Sequence, residues 1–309
     1  MRARLRRSLW PVPLLLSACA TPPEIPPWFD AIARQPVHTT SVNGTRIAYL
    51  DAGDGPPVLL VHGFGGSMWH WEYQQAALAP HFRVITLDLP GSGLSDKPDI
   101  AYTPEELVAF VCGFLDALGI HRAALVGNSM GAGLAIGMAV AHPERVDRLV
   151  LIGGLPQGVR DKLTGPLLRR AVETSAPTWL IEFGNWLAGS WVTEDALGEI
   201  VHDHQRLTPA VIERSVRNRQ RPGLIRAAMA MAGSLPRWEQ GFARRIAEVS
   251  QPTLVVWGEH DQVFPPAVGR ELQAAIAGAT FVLIPDAGHL PQWERPESVN
   301  PLLTRFLKP

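Results

Sequence analysis

Ser129 is the first residue in the chain with an evident chemical use. It lies in Gly127-Asn128-Ser129-Met130-Gly131, after the apolar run Ala123 to Val126 and before a helix marked by the small residues Gly131, Ala132, Gly133, Ala135 and Gly137. In that setting G-x-S-x-G signals a sharp strand-to-helix turn that lifts a hydroxyl clear of a sheet, with glycines on both sides because side chains would collide there. A serine hydroxyl is a weak nucleophile at neutral pH and needs a base within about 3 Å. His289, in Pro285-Asp286-Ala287-Gly288-His289 after the last apolar run, has that placement; the other nine histidines do not. Asp261, in Trp257-Gly258-Glu259-His260-Asp261, follows the penultimate strand and is the carboxylate expected to orient His289. Glu259 competes with it for the role, and Asp286 reads as a turn residue.

Negative charge that develops on a substrate carbonyl needs donors already in place. The backbone amides of Phe64, in His62-Gly63-Phe64-Gly65-Gly66, and of Met130 are the expected pair. His62 ends a strand and is expected to orient structure, not to act as base. His202 and His204 flank Asp203, but i, i+2 spacing does not share a helical face, so they read as a polar surface. No metal and no cofactor is expected.

These residues must be positioned by a sheet. Short apolar runs alternate with helical patterns from residue 38 onward, which predicts a mostly parallel, doubly wound sheet covered by helices. The clearest strands are Arg46 to Leu50, Pro57 to His62, Phe82 to Leu87, Ala123 to Gly127, Arg148 to Ile152, Thr253 to Trp257 and Thr280 to Ile284. A helix is predicted from Pro104 to Leu118, with Thr103 as cap, Glu105 and Glu106 in its first turn and Gly119 as its stop. From about Leu155 to Trp238 no strand is convincing, and helices are predicted at Gly165 to Glu173, Thr178 to Leu187, Glu194 to His204 and Pro209 to Arg217. This stretch reads as an all-helical cap inserted after the sixth strand. Its tryptophans, Trp179 and Trp186 above all, and Trp69 beside the oxyanion loop, are expected to line an apolar substrate site.

The chain has 309 residues, 46% apolar and 18% charged, with a formal net charge of -1. That length suits one large domain, and that apolar share excludes wholesale disorder. Near-neutrality with 28 Lys and Arg offers no basic field for nucleic acid. The first residues differ in kind. Arg2, Arg4, Arg6 and Arg7 precede a short apolar stretch broken by Pro11 and Pro13, which is too short to span a bilayer and reads as a cleaved export signal. The expected organisation is a signal at 1–18, a Pro-rich linker at 19–37, a core at 38–154 and 239–309, and the cap at 155–238.

Two resemblances extend this reading. Leu16-Ser17-Ala18-Cys19 resembles the lipobox of bacterial lipoproteins. It implies lipid attachment at Cys19 and, with Ala20 after it, an outer-membrane location; the membrane partner is then the lipid anchor. The segments HGFGG, DLPGSGLSDKP, GNSMG, WGEHDQVFP and DAGHLPQWERPE resemble the α/β-hydrolase superfamily, serine esterase and lipase type, over roughly residues 38 to 308. That resemblance implies an α/β-hydrolase fold, no cofactor, and hydrolysis of carboxylic esters from small molecules or lipids, while the Trp-rich cap with Trp69 and Trp71 points to an apolar acyl chain. GNSMG and Gln292-Trp293-Glu294 also resemble meta-cleavage-product hydrolases, which split carbon-carbon bonds. Leu290 after the histidine and Phe64-Gly65-Gly66 depart from that group, so the ester reading leads and carbon-carbon cleavage is the alternative. A ligand-binding module with slow or no turnover is the reading from another class.

Overall fold

The computed structural model describes residues 35–308. Eight strands form one sheet: β1 His38–Val42, β2 Thr45–Ala52, β3 Pro57–Val61, β4 Arg83–Leu87, β5 Ala123–Asn128, β6 Val146–Ile152, β7 Thr253–Gly258 and β8 Thr280–Ile284. Their spatial order is β1-β2-β4-β3-β5-β6-β7-β8. The two pairings made by β2 are antiparallel, and all the others are parallel. β1 is absent from the sequence reading, although its signal is there: Asn43 and Gly44, both at positive φ (50° and 80°), form the two-residue turn that joins it to β2.

Both faces of the sheet's centre are covered, so its central strands are mostly apolar on both sides and the pleat divides those side chains between two cores. Leu59, Val61, Ile85, Leu87 and Leu125 point into one cluster, while Val58, Leu60, Val84, Ala124 and Val126 point into the other. The first cluster is closed by α2, Pro104–Ala117, and α3, Met130–Ala141; the second by α1, Glu72–Leu78, and the C-terminal helix. α2 begins as its sequence predicts. Thr103 Oγ1 accepts from the Glu106 amide at 3.2 Å and Glu106 Oε2 accepts from the Thr103 amide at 2.9 Å, a capping box that satisfies two donors at once. Gly119, at φ 66°, ends the turn that follows.

Between β6 and β7 the described chain is helical: α4 Val159–Lys162, α5 Pro166–Glu173, α6 Thr178–Leu187, α7 Ser190–Ile200, α8 Pro209–Arg219, α9 Leu224–Gly233 and α10 Leu235–Gln240. The insertion follows the sixth strand, as expected. α7 starts and ends earlier than its predicted span, leaving His202 and His204 in the segment after it, and α9 and α10 were not foreseen. The remaining helices are α11 Pro266–Ala275, α12 Pro291–Glu294 and α13 Pro296–Leu307.

One buried ion pair fastens cap to core. Arg214 of α8 reaches Glu72 of α1 at 2.8 and 3.3 Å, and the two side chains are 7% and 11% exposed. Glu72 Oε1 also accepts from Trp293 Nε1 at 2.6 Å, and the guanidinium lies 4.3 Å from the Trp69 ring centroid. The candidate lipidation site Cys19, the 1–18 signal and the linker as far as residue 34 lie outside the described residues.

Removing one partner of a desolvated pair strands the other charge. Arg214→Ala is expected to destabilise the protein by about 3–5 kcal/mol, whereas the double change Glu72→Leu with Arg214→Met should recover much of that loss. Urea unfolding of the three chains measures both.

Candidate active site

The turn that carries Ser129 is dictated by backbone crowding. A Cβ on Gly127 would lie 2.3 Å from the Gly131 carbonyl, and one on Gly131 would lie 2.2 Å from Val61 O. Glycine at both places lets β5, β3 and the first turn of α3 meet without clash. Ser129 itself is held at φ 53°, ψ -117°, a conformation that costs a non-glycine residue about 1–3 kcal/mol. Its amide donates to Ile152 O at 2.8 Å, which fixes the turn to the end of β6.

The strand ends bring the distant partners together. His289 Nδ1 lies 2.8 Å from Asp261 Oδ2, and both side chains are buried. Asp261 Oδ1 accepts from the amides of Val263 and Phe264 at 2.8 and 3.0 Å, so its second oxygen is left to hold the imidazole. Glu259, the competitor, is half exposed and approaches only His260, at 3.9 Å. Asn128 Nδ2 donates to His289 O at 3.1 Å and to Ile152 O at 3.2 Å, tying the histidine loop to the serine turn.

Ser129, Met130, Phe64 and His289 all line one chamber of about 410 Å³ between sheet and cap. Met130 is the first residue of α3, where amides have no partner within the helix, and among the described residues no hydrogen bond uses the Phe64 amide. Both donors that the sequence nominates therefore stand free at the chamber wall. Trp69 also lines it, as expected. Trp179 and Trp186 do not: they are 67% and 72% exposed, on the outer side of α6. Apolar content in a cap helix does not tell which side is covered, and the chamber is filled instead from α5, α7 and α9, by Leu168, Val172, Leu197, Ile225 and Met231.

Two buried histidines stay neutral. His62 Nε2 accepts from the Leu89 amide at 3.1 Å, so its proton sits on Nδ1, which donates to Gly63 O at 2.8 Å. Burial pushes its imidazole below the usual range, and His62 supports the oxyanion loop, as the sequence suggested. His70, unremarked in the sequence, lines the chamber. Burial first, then the nearby imidazoles of His62 and His289 and the Arg214 guanidinium, hold it well below the usual range.

Glu294 is another residue whose role the sequence did not disclose. Its fully buried carboxylate accepts from Gly288 N at 2.8 Å on one oxygen and from His202 N and Asp203 N at 2.8 and 2.9 Å on the other. It thus gathers the cap junction onto the loop of His289, and its burial raises its carboxyl above the ordinary range. Its place five residues after the candidate base is the one signal that could have exposed it. His202 has a second surprise: with His260 and Asp286 it forms an exposed group whose potential metal-ligand atoms lie within 4.8 Å of one another, brought together from three loops.

The chain matches the family model described as alpha/beta hydrolase fold over residues 56–296. It is 33% identical over 273 residues to a 2-hydroxy-6-oxononadienedioate/2-hydroxy-6-oxononatrienedioate hydrolase of Klebsiella pneumoniae, covering 85% of this chain and 91% of that one. Among solved structures it is similar to a meta-cleavage product hydrolase from Pseudomonas fluorescens, at 28% identity and a TM-score of 0.75 over 87% of this chain and 96% of that one. It is also similar to a bacterial membrane phospholipase A, at 26% identity and a TM-score of 0.74 over 89% and 86% of the two chains.

The neutral histidines set a pH dependence. In the unfolded chain His62 and His70 bind protons below about pH 6.5, while in the folded chain they remain neutral to lower pH. Stability should therefore be complete above about pH 6.5 and fall as pH drops through it, by at most about 1.4 kcal/mol per pH unit for each ring. Urea unfolding at a series of pH values tests this, and His70→Gln should flatten the acid side of the curve.

Proposed function

Because the chain belongs to the α/β-hydrolase family, we propose that it is a serine hydrolase whose substrates are carboxylic esters with an apolar acyl chain. Ser129 Oγ adds to the ester carbonyl while His289 takes its proton, and the amides of Phe64 and Met130 receive the oxyanion. The carbon-oxygen bond then breaks, His289 returns the proton to the leaving alcohol, and water hydrolyses the acyl-serine by the same steps. Asp261 keeps the imidazole oriented and supports its charge.

The observation that carries the ester reading is the chemistry of the chamber wall. Arg219 is the one Lys or Arg among the described residues lining it, and its guanidinium is spent. Nε donates to Thr193 Oγ1 at 2.9 Å, Nη1 to Asn185 O and Oδ1 at 3.0 and 2.5 Å, and Nη2 to Ala188 O and Gly189 O at 3.1 and 3.2 Å. A substrate carboxylate would find no free cation there, and an alkyl chain would find leucine, isoleucine and methionine.

Carbon-carbon cleavage is the second reading, and the comparisons favour it over the ester reading. The Klebsiella relative is named for a hydrolase of 2-hydroxy-6-oxononadienedioate and 2-hydroxy-6-oxononatrienedioate, and the Pseudomonas structure for a meta-cleavage product hydrolase. The same triad and oxyanion amides would serve, with a carbanion in place of the alcohol as leaving group. From the sequence alone we propose in addition that Cys19 carries a lipid anchor, which Cys19→Ser would test by moving the protein from the membrane to the soluble fraction.

A panel of p-nitrophenyl esters from acetate to palmitate, run beside 2-hydroxy-6-oxo-6-phenylhexa-2,4-dienoate, separates the two readings. Preference for medium or long esters supports the first; turnover of the dienoate alone supports the second. In either case Ser129→Ala should abolish labelling by a fluorophosphonate, and Asp261→Asn should lower kcat by about 10⁴-fold.

A further inference from the structure

The tryptophans that do not line the chamber form a surface of their own. Trp179, Phe183 and Trp186 follow one another at i, i+4 and i+7 along α6, with Leu180 and Leu187 beside them. All five are 46–72% exposed, and Trp191, at the start of α7, is 63% exposed. Phe183 and Trp186 stack on each other in solvent, with ring centroids 6.2 Å apart. Glu182 is the single charged residue in α6. This is more than the scattered apolar residues of an ordinary surface.

The face is held out by the fold and is not a frayed edge. α6 packs against α9, which lines the chamber from the other side. Four of the five hydrogen bonds of the Arg219 side chain grip the C-terminal end of α6 through Asn185, Ala188 and Gly189. The helix therefore has one committed side, and its aromatic side is left without a partner among the described residues.

The path of the chain indicates what that partner is. Val37, near the start of the described residues, packs on a cluster that includes Leu197 and Val201 beside Leu207, Val211 and Ile212, at the junction of α7 and α8. Val37 also leads directly into β1, and Ala48 and Leu50 of β2 belong to the same cluster, so the described chain begins where the sheet edge meets the cap. Fifteen residues separate Gln35 from Cys19, a reach of at most about 55 Å when extended. Whatever holds residue 19 to a lipid surface keeps the cap within reach of that surface.

We propose that the aromatic face of α6, with Trp191, is a docking surface for a phospholipid bilayer and lies in the boundary between headgroups and acyl chains. Indole suits that boundary because its body is apolar while its N–H can face the headgroups. A lone amphipathic helix adsorbs in this way without spanning, in keeping with the fact that no helix of the described residues is long and apolar enough to cross a membrane. The chamber lies beneath the same cap, so an apolar substrate leaving the bilayer would have a short path to it. Adsorption is measured without turnover, so the proposal stands or falls separately from the identity of the bond cleaved.

The test uses the full chain carrying Cys19→Ser, so that no attached acyl chain contributes, with and without Trp179→Ser, Phe183→Ser and Trp186→Ser together. Both are mixed with vesicles of equimolar phosphatidylethanolamine and phosphatidylglycerol and sedimented. The chain with the intact face should partition at least about tenfold more strongly, a difference of the size expected for lost aromatic anchors. Its tryptophan emission should be quenched by brominated lipid, a reading that does not depend on how the triple variant folds. Equal partition of the two chains, or no quenching of the chain with the intact face by brominated lipid, would overturn the proposal. So would light scattering that shows a dimer turned to monomer by the three changes with vesicle binding unaltered, since the face would then belong to a second copy of the chain.

Discussion

Everything at the site depends on a backbone contact that admits no side chain. Where β5 turns into α3, Gly131 lies against the carbonyl of Val61 and Gly127 against the carbonyl of Gly131, so three segments come within van der Waals contact of one another's main chain. Ser129 accepts a left-handed conformation because its neighbours leave no other course. The cost is offset by the burial of two apolar layers on either side of the sheet. Asn128, inside the same turn, then donates to the carbonyl of His289, so the strained turn also sets the position of the candidate base.

A second theme is the use of buried charge as a joint. Glu294 collects amides from the cap junction and from the histidine loop; Glu72 and Arg214 join α1 to α8; Arg219 closes the corner between α6 and α7. Glu294 and Arg214 are buried and Glu72 and Arg219 partly so, and each takes partners from a different segment of the chain. Such groups contribute little net stability, because desolvation offsets their attraction, but they penalise any other arrangement of the cap. Among the described residues the chamber wall then carries one guanidinium, that of Arg219, already held by five hydrogen bonds, and is otherwise largely apolar.

Much of this was legible in the sequence, and for physical reasons. The nucleophile turn announces itself because only glycine fits at 127 and 131. Seven strands announce themselves because sheets covered on both faces require unbroken apolar runs, and α2 does so through its capping box. β1 escaped because its outer face is exposed and its residues alternate weakly, although Asn43-Gly44 marked the hairpin. The two cap tryptophans were placed on the wrong side because helix periodicity gives a stripe without saying what the stripe meets. Glu294, His70 and the meeting of His202 with His260 and Asp286 depend on contacts between segments that local pattern does not encode. The choice between ester and carbon-carbon bonds was left open for a related reason: both reactions need the same triad, and the distinction lies in which guanidinium groups are free.

The insertion of the cap between β6 and β7 has a consequence for the order in which the protein can be made. β7 must add to β6 in parallel register across the intervening residues 153–252, and only then can β8 add to β7. Closing so long a loop costs little more at equilibrium than closing a short one, but contacts of such separation in sequence form slowly. Asp261 and His289 both belong to this late-joining end of the sheet, while Ser129 and its glycines lie in the early part. A chain still being synthesised can form the serine turn, but the candidate base and its carboxylate reach that turn only when the final segment has docked. Hydrolytic competence is thus the last property the growing molecule acquires.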